Sequence, residues 1–337
     1  MKEKKCIGVD VSKRTLDFAL YTGKFDMKKD HVKVSNDIEG YSKFMEWARN
    51  LSVCKEHMRV CMEHTGLYCH DFCKWLEREG IIYYMVPGMT MHNFTVPEGT
   101  KGMTRSKTDK LDAFKIAVYC YLYVDVLTPH KMPSEPLFIL KRLLAERRQY
   151  IKQVGLYKRQ LKDISRYDTK KSVCRKKKML ADIEGATKRL DKEILKTIAC
   201  NADIQENYDL LCSIPGMGMV NALNAIVLTG NFCNIKDPRK YACYIAIAPF
   251  PKESGTSVNG KPHVGKKGFS QAKADLSMSA VSCIANEPLI RAYFNRKKKE
   301  GKPGGVVLNA IKFKMVLRMF AVIRRKKPYV KLEHFDK

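Results

Sequence analysis

The chain has 337 residues, enough for two domains with separate cores, and carries 63 Lys and Arg against 35 Asp and Glu, a formal net charge of +28. So basic a surface attracts a polyanion, and nucleic acid is the first candidate because its phosphates bind lysine and arginine with release of counterions. No apolar run reaches the roughly 18 residues of a membrane-spanning helix, and a hydrophobic fraction of 45% excludes a mostly disordered chain.

The N-terminal sequence MKEKKCIGVDVSK does not look like a signal peptide, because its apolar run is short and Asp10 interrupts it. The twelve cysteines show no regular pairing pattern, and a chain of this size needs no disulfides to fold. We therefore expect reduced thiols in a cytoplasmic protein that has no membrane partner.

The first 130 residues alternate strand-like and helix-like segments. Short apolar runs with β-branched residues predict strands, and apolar residues at helical spacing, such as Ile38, Tyr41, Phe44, Met45 and Ala48, predict helices. The order β-β-β-α-β-α-β-loop-α predicts a mixed sheet with helices on its faces. In chain order we predict strands at 5–11, 15–23 and 31–37, a helix at 37–50, a strand at 57–63, a helix at 67–79, a strand at 81–86, a mobile loop at 88–106 and a helix at 107–123 capped by Thr108.

Five potential zinc ligands lie close together in CMEHTGLYCHDFC: Cys61, His64, Cys69, His70 and Cys73. These residue types bind zinc, but no second closely spaced pair completes a four-ligand site. The same spacing places Cys69 and Cys73 one turn apart on the buried side of a helix. We favour the buried helix and keep zinc as the alternative.

The middle of the chain, about 135–200, is helical and very basic. Two long helices in a hairpin or coiled coil are the simplest account of its leucine and isoleucine stripe. The charge run TKKSVCRKKKML contains Arg175, Lys176 and Lys177, which are candidates for nucleic-acid binding, although a solvated basic face is the alternative. The stripe consists of Leu137, Leu140, Leu143, Leu144, Ile151, Val154, Leu161 and Ile164.

The C-terminal part, from about 204, is predicted to be mostly helical. In YDLLCSIPGMGMVNALNAIVLTG two apolar helices flank Pro215-Gly216-Met217-Gly218, the pattern of a helix-hairpin-helix. Its glycines would let a phosphate approach a helix N-terminus, or would simply make a tight turn between packed helices, and both interpretations stay open. We predict further helices over 271–284 and in the basic tail before Pro328. The chain then divides into domains at 1–130, 131–203 and 204–337.

Four carboxylates form a possible metal site in the first domain. Asp10 lies within the first strand, where an acid is costly unless it is paired or binds a cation. Glu63 ends the fourth strand, and Asp109 and Asp112 share one helical face. Neighbouring first and fourth strands, crossed by this helix, would bring all four together, and their mutual repulsion would favour hard cations such as Mg²⁺ or Mn²⁺. Alternatively, Asp109 only complements the helix dipole and Asp112 pairs with Lys110 or Lys115.

Several motifs occur in one order along almost the whole chain: IGVDVSK with TLDFAL, MEHTG, SKTDKLDAFKIA, SIPGMGMVNA and IAIAPFPKESG. In this the sequence resembles transposases of the insertion-sequence 110 family. The resemblance implies a bridge-RNA-guided DNA recombinase with an RNase H fold domain of RuvC type. It also implies that Asp10, Glu63, Asp109 and Asp112 are the family's four catalytic acids, which hold Mg²⁺ or Mn²⁺.

The family also uses a serine nucleophile in a Pro-five residues-Gly context, which here is Pro249 to Gly255 and selects Ser254, with Ser257 as the rival. The implied reaction joins Ser254 covalently to DNA. Where the family has ISKxGN, this chain has FSQAKAD, with Gln271, Lys273 and Ala274 at the Lys, Gly and Asn places. We expect Lys261, Lys266 and Lys267 to take over the phosphate contacts, and Lys107 is a further candidate for nucleic-acid binding.

The expected partners are donor and target double-stranded DNA, a structured non-coding guide RNA, and further copies of the chain in a dimer or tetramer. Two other functions stay open on the residues alone. One is a metal-dependent nuclease or junction resolvase on the same fold, in which the serine has no role. The other is a nucleic-acid-binding protein without catalysis, in which the acids form ordinary ion pairs.

Overall fold

The computed structural model describes residues 5–24, 29–64, 66–97, 108–254, 258–265 and 268–330, with the side chains of 251–261 left out. The chain separates into two compact units, Met1–Met132 and Pro133–Lys337. The division into three domains made from the sequence stays a prediction. Within the described parts, no helix combines the length and the apolar character needed to cross a membrane.

The first unit is built on a five-stranded mixed sheet in the order β3-β2-β1-β4-β5. Strand β1 is antiparallel to β2 and parallel to β4, and β5 is parallel to β4. The predicted mixed sheet with helices is confirmed, including the contact between the first and fourth strands. Its elements are β1 (Lys5–Val11), β2 (Thr15–Tyr21), β3 (His31–Ser35), α1 (Ile38–Asn50), β4 (Met58–Glu63), α2 (His70–Arg78), β5 (Ile82–Val86), α3 (Gly88–Asn93) and α4 (Asp109–Tyr123).

The alternation of side chains along β1 assigns each face of the sheet a different role. Ile7 and Val9 pack into the larger core, in which Phe18 stacks on Phe44 of α1 with ring centroids 4.1 Å apart. Gly8 and Asp10 face the other way, toward α4. Helix α4 therefore covers the face that carries the candidate acids.

The helix ends follow from short polar side chains. Asp37 caps α1 by accepting a hydrogen bond from the Gly40 amide at 2.8 Å. Thr108 caps α4 by accepting from the Leu111 amide at 3.4 Å, as predicted.

Two expectations for the first unit were wrong. Ile38 is 70% exposed because it lies in the first turn of α1, outside its packed side, and residues 88–93 form the short helix α3 instead of a loop.

The second unit begins with two long helices, α5 (Glu135–Asp163) and α6 (Lys170–Ala199), joined through a short 3₁₀ turn. They run antiparallel, since Arg147 pairs with Asp191 at 2.6 Å and Lys158 with Glu184 at 2.8 Å. The predicted apolar stripe is buried only in the first half of α5, from Leu137 to Leu144, whereas Ile151 and Ile164 are exposed.

The rest of the second unit is helical apart from one β-hairpin that the sequence did not predict. Strands β6 and β7 pair antiparallel with a register shift between Phe250 and Lys252. Helix α12 buries Ile311, Met315, Met319 and Val322, the side expected from its spacing. The elements are α7 (Ala202–Cys212), α8 (Met219–Thr229), α9 (Pro238–Tyr244), β6 (Pro249–Ser254), β7 (Val258–Val264), α10 (Ser270–Asn286), α11 (Pro288–Lys299) and α12 (Gly304–Arg325).

The turn between α7 and α8 is packed against the protein at its first glycine. Gly216 has φ +76°, and a β-carbon there would lie 2.9 Å from the Ser279 carbonyl oxygen of α10. Gly218, by contrast, has open space beside it. Gly216 thus serves as a tight turn between helices, while a phosphate contact at Gly218 stays a prediction.

The packing of α4 on β1 gives the first testable prediction. A β-carbon on Gly8 would overlap with the Ala113 carbonyl oxygen and the Ala117 amide nitrogen, both backbone atoms that cannot rotate away. We expect Gly8→Ala to cost about 2–3 kcal/mol and to lower the thermal unfolding midpoint of the full chain.

Gly155→Ala is the matched control, because this helical glycine has open space around it and alanine is the better helix former. It should leave the midpoint unchanged or raise it. A Gly8→Ala protein as stable as the wild type would contradict the close packing of α4.

Candidate active site

The topology brings the four predicted acids to one end of the sheet. Strands β1 and β4 run parallel with Val9 opposite Met62, so that Asp10 and Glu63 follow at the same carboxyl edge. Helix α4 contacts β1 through Ala113 at Gly8, two residues before Asp10. Asp109 and Asp112 occupy the first turn of this helix, next to that edge.

The electrostatics of Asp10 reflect this convergence. Burial, and after it the charges of Asp112, Asp109, Asp17 and Glu63 in that order, together raise the pKa of Asp10 from its ordinary 3.8 to about 6. Asp10 is half-buried, and every carboxylate that influences it has the same sign. A cation that bound here would relieve this repulsion.

Asp17 is a fifth acid at this site, and the sequence analysis did not single it out. It stands opposite Asp10 in the β1–β2 register and is only 4% exposed. The His31 Nε2 lies 3.0 Å and the Lys33 Nζ 3.1 Å from its two oxygens. The available signal was the acid inside the apolar strand TLDFALY, the same anomaly that drew attention to Asp10.

Lys33 links the sheet edge to the helix. Its Nζ lies 3.1 Å from Asp17 and also 3.1 Å from Asp109. Hydrogen bonds to these two acids raise the pKa of Lys33, whereas burial lowers the pKa of His31. Asp109 therefore forms an ion pair across elements, which neither interpretation of the sequence predicted.

The donor set suits a hard divalent cation, because it consists of carboxylate oxygens without thiols. The neighbours of Asp10 are Asp17, Glu63, Asp109 and Asp112, and no three of these five acids have oxygens within 4.8 Å of one another. Among the described residues, Cys54, Glu56 and His57 are the one group of three whose ligand atoms lie within 4.8 Å of one another. Glu63 has room for its carboxylate because Gly88 lacks a side chain there.

The alternative zinc site in 61–73 is wrong for the described residues. Cys61 belongs to the core on the α4 side of the sheet, together with Cys6 and Cys120. Cys69 and Cys73 belong to the core on the opposite side. The sheet thus separates the cysteines, and the buried-helix interpretation holds.

Ser254 lies in the second unit, where its backbone ends strand β6 opposite Val258. Gly255 and the rival Ser257 lie outside the described residues. Of the predicted nucleic-acid contacts, Lys261 is part of β7, and Lys107, Lys266 and Lys267 also lie outside the described residues.

In the charge run, Arg175 and Lys177 are exposed on α6. Lys176 is instead half-buried and pairs with Asp168 at 2.6 Å, which anchors the start of the helix to the preceding turn. Two of the three predicted side chains are therefore available to an external anion.

Comparison with known proteins supports one family along most of the chain. Residues 7–164 match the family DEDD_Tnp_IS110, described as a transposase, and residues 208–295 match the transposase IS116/IS110/IS902 family. The first match covers all four acids and the second covers Ser254.

Two relatives align over nearly their full length. The pilin gene-inverting protein of Moraxella lacunata is 24% identical over 340 residues, which cover 98% of this chain and 99% of that protein. The pilin gene-inverting protein of Moraxella bovis has the same identity and coverage. An insertion element IS110 protein of 43.6 kDa from Streptomyces coelicolor is 30% identical over 115 residues, 34% of this chain and 28% of that protein.

The five-stranded mixed sheet with its crossing helix is consistent with an RNase H-like transposase domain. The two family matches lie in the order in which the sequence motifs occur, and the full-length relatives are named for inverting a DNA segment. The chain belongs to the insertion-sequence 110 family of transposases and is a DNA recombinase.

Proposed function

We propose that this recombinase cuts and rejoins DNA with two sets of groups, a metal held by Asp10, Glu63, Asp109 and Asp112 and the nucleophile Ser254. The observation that carries the proposal is the convergence of these four acids at one end of the sheet, where burial and then the repulsion of neighbouring carboxylates raise the pKa of Asp10. An enzyme that only needed a stable fold gains nothing from such repulsion, whereas a cation site requires it.

The four acids would hold Mg²⁺ or Mn²⁺ through carboxylate oxygens. When bound, such ions would stabilise the charge that develops on the phosphate and on the leaving oxygen. The chain itself supplies the positioning. Strands β1 and β4 fix Asp10 and Glu63, and the capped first turn of α4 fixes Asp109 and Asp112.

Ser254 supplies the nucleophile in this proposal. Its hydroxyl oxygen attacks the phosphorus of a DNA phosphodiester and loses its proton to a base. A new serine–phosphate ester bond forms while the bond from phosphorus to one deoxyribose oxygen breaks, and that oxygen takes up a proton. The phosphoserine bond retains the energy of the broken phosphodiester, so that another DNA end can displace the serine and rejoin the strand.

The basic surface supports contacts with nucleic acid outside the reacting strand. The exposed Arg175 and Lys177 lie on a helix that projects many charges, and the whole chain has a net charge of +28. We assign this helical hairpin to a structured guide RNA. Joining two DNA segments, as inversion does in the Moraxella relatives, requires two duplexes and so at least a dimer of this chain.

The metal site predicts a coupled effect of pH and Mg²⁺. In the folded protein Asp10, with a pKa of about 6, keeps a proton that the unfolded chain releases near 3.8. Without Mg²⁺, stability should fall as pH rises from about 4 to about 7. Since Mg²⁺ binds the ionised form, its stabilising effect should grow through about pH 6. Thermal unfolding with and without Mg²⁺ across this range measures both.

Asp10→Asn should remove the pH dependence in this window and most of the Mg²⁺ effect. Asp71→Asn, at an exposed acid on α2 on the other side of the sheet, should change neither. Equal stabilisation of the wild type and Asp10→Asn by Mg²⁺ would refute the metal site and favour a protein whose acids are ordinary ion pairs.

Lys33 should compete with the metal for Asp109. Replacing it in Lys33→Met removes a positive charge 3.1 Å from both Asp17 and Asp109. We expect Mg²⁺ affinity to rise roughly threefold or more, read from the Mg²⁺ concentration at half-maximal stabilisation. Lys43→Met on α1, where the lysine pairs with Glu39, is the control. Weaker Mg²⁺ binding by Lys33→Met would mean that Lys33 positions Asp109 for the metal instead.

Ser254→Ala should abolish covalent protein–DNA adducts and leave DNA and RNA binding intact, because only the attacking oxygen is lost. Ser257→Ala should retain the adduct. Adducts are detected as protein that stays on labelled DNA through denaturing electrophoresis, in the presence of Mg²⁺ and guide RNA. Adducts formed by Ser254→Ala would exclude this serine. Strand cleavage without any adduct in the wild type would favour the metal-dependent nuclease.

A further inference from the structure

The second unit contains a cavity of about 830 Å³ beside the β-hairpin, which we call the β6 cavity. Strand β6 contributes Pro249 and Phe250 to its wall, and α12 contributes Asn309, Lys312 and Phe313. Lys273 of α10 also lines the cavity. No described acidic residue lines this cavity.

Lys312 is the unusual residue of the β6 cavity. It is only 5% exposed, although a lysine is rarely buried without a carboxylate. Its Nζ donates to the Ser277 hydroxyl at 3.2 Å, and within the part of the chain that the structure describes no carboxylate pairs with it. Burial lowers the pKa of Lys312, and the nearby charge of Lys273 lowers it further. With Arg239, which also lines the cavity, three cationic side chains lie in a largely apolar wall, an arrangement that favours an anion.

The rest of the wall favours a flat, apolar ligand group next to that anion. Phe250 and Phe313 offer aromatic faces, on which a base can stack. The Asn309 side chain donates to the Ile247 carbonyl at 2.7 Å, which fixes its amide and leaves the oxygen as a hydrogen-bond acceptor. A nucleotide offers a phosphate to the cationic side chains, a flat base to the aromatic rings and a hydrogen-bond donor to the Asn309 oxygen. A free phosphate or an apolar peptide would use only part of the wall.

We propose that the β6 cavity binds one unpaired nucleotide of the DNA strand that Ser254 attacks, with its phosphate at Lys312 and Lys273 and its base between Phe250 and Phe313. The occupant is DNA because the strand that ends at Ser254 also forms the wall. This assignment rests on the proposed role of Ser254. Holding a nucleotide out of the duplex next to the nucleophile would fix which phosphate is cut.

Four variants of the full chain, two tests and their two controls, all in the Ser254→Ala background, separate this site from general attraction to DNA. Lys312→Met keeps the length of the side chain and removes its charge. Its control is Lys314→Met, an exposed lysine on the same helix. Gly305→Phe fills the cavity, since Gly305 lines it and a β-carbon there meets nothing within 4 Å. Its control is Gly304→Phe, where the nearest atom is the flexible Lys298 Nζ at 3.9 Å.

The probe is a single-stranded pentanucleotide of DNA whose central base is 2-aminopurine, which loses fluorescence when it stacks. Binding to the Ser254→Ala parent should quench it. Lys312→Met should weaken binding roughly tenfold, and Gly305→Phe should abolish quenching, while both controls stay within about twofold. The thermal midpoint of Lys312→Met should equal or exceed that of the parent, because a buried amino group without a carboxylate is costly.

Equal losses in Lys312→Met and Lys314→Met would overturn the proposal, since that is general electrostatic binding. Unchanged quenching in Gly305→Phe would overturn it as well. Binding of the ribose version of the probe as tight as that of DNA would overturn the assignment to DNA. Because these measurements need no cleavage, a wild type that forms no covalent adduct would refute the proposed function and leave the binding result standing.

Discussion

Helix α4 lies so close to strand β1 that its backbone occupies the space of a side chain at Gly8. This one contact sets the distance between the first turn of the helix and the carboxyl edge of the sheet. The helix brings Asp109 and Asp112 with it, and the parallel pairing of β1 with β4 brings Asp10 and Glu63. The fold therefore holds like charges near one another in a partly buried place, and burial together with these charges raises the pKa of Asp10.

Asp10 and Asp17 differ in how their charges are compensated, although they lie in the same setting. Both lie inside apolar strands, opposite each other in the register. Asp17 is satisfied by His31 and Lys33, as a buried acid must be. Asp10, in contrast, is influenced by carboxylates of its own sign. An acid held against repulsion, beside Asp17 and Asp109 that already have cationic partners, is the reason why we propose a cation site at Asp10.

Much of the first unit follows from the sequence because its signals are local. Apolar runs predicted the strands, and Thr108 predicted the start of α4. The positions of Asp17 and Lys33 depend on the register between strands, which local periodicity does not specify. The same limit explains the zinc alternative, since Cys61 and Cys73 are close in sequence but lie on opposite sides of the sheet.

In the second unit the prediction was coarser. The long helices followed from their leucine spacing, but the β-hairpin at 249–264 has no alternating apolar pattern that would predict it. Lys312 lies within a basic amphipathic helix, where a lysine ordinarily indicates the solvated side. Its burial arises from the packing of α12 against α10, where its amino group meets Ser277, a residue distant in sequence.

The two units hold unbalanced charges of opposite sign. The first gathers five carboxylates with one lysine among them, and the second buries an amino group beside another without a carboxylate. An exposed lysine has little effect on the folding free energy, whereas a buried charge is unfavourable unless a charge of opposite sign compensates it. In the proposed function divalent cations would neutralise the acids, and in the proposed β6 cavity site a DNA phosphate would neutralise the lysines. The net charge of +28 favours a polyanionic partner over the whole surface, whereas these two local imbalances would select the places at which metal and phosphate bind.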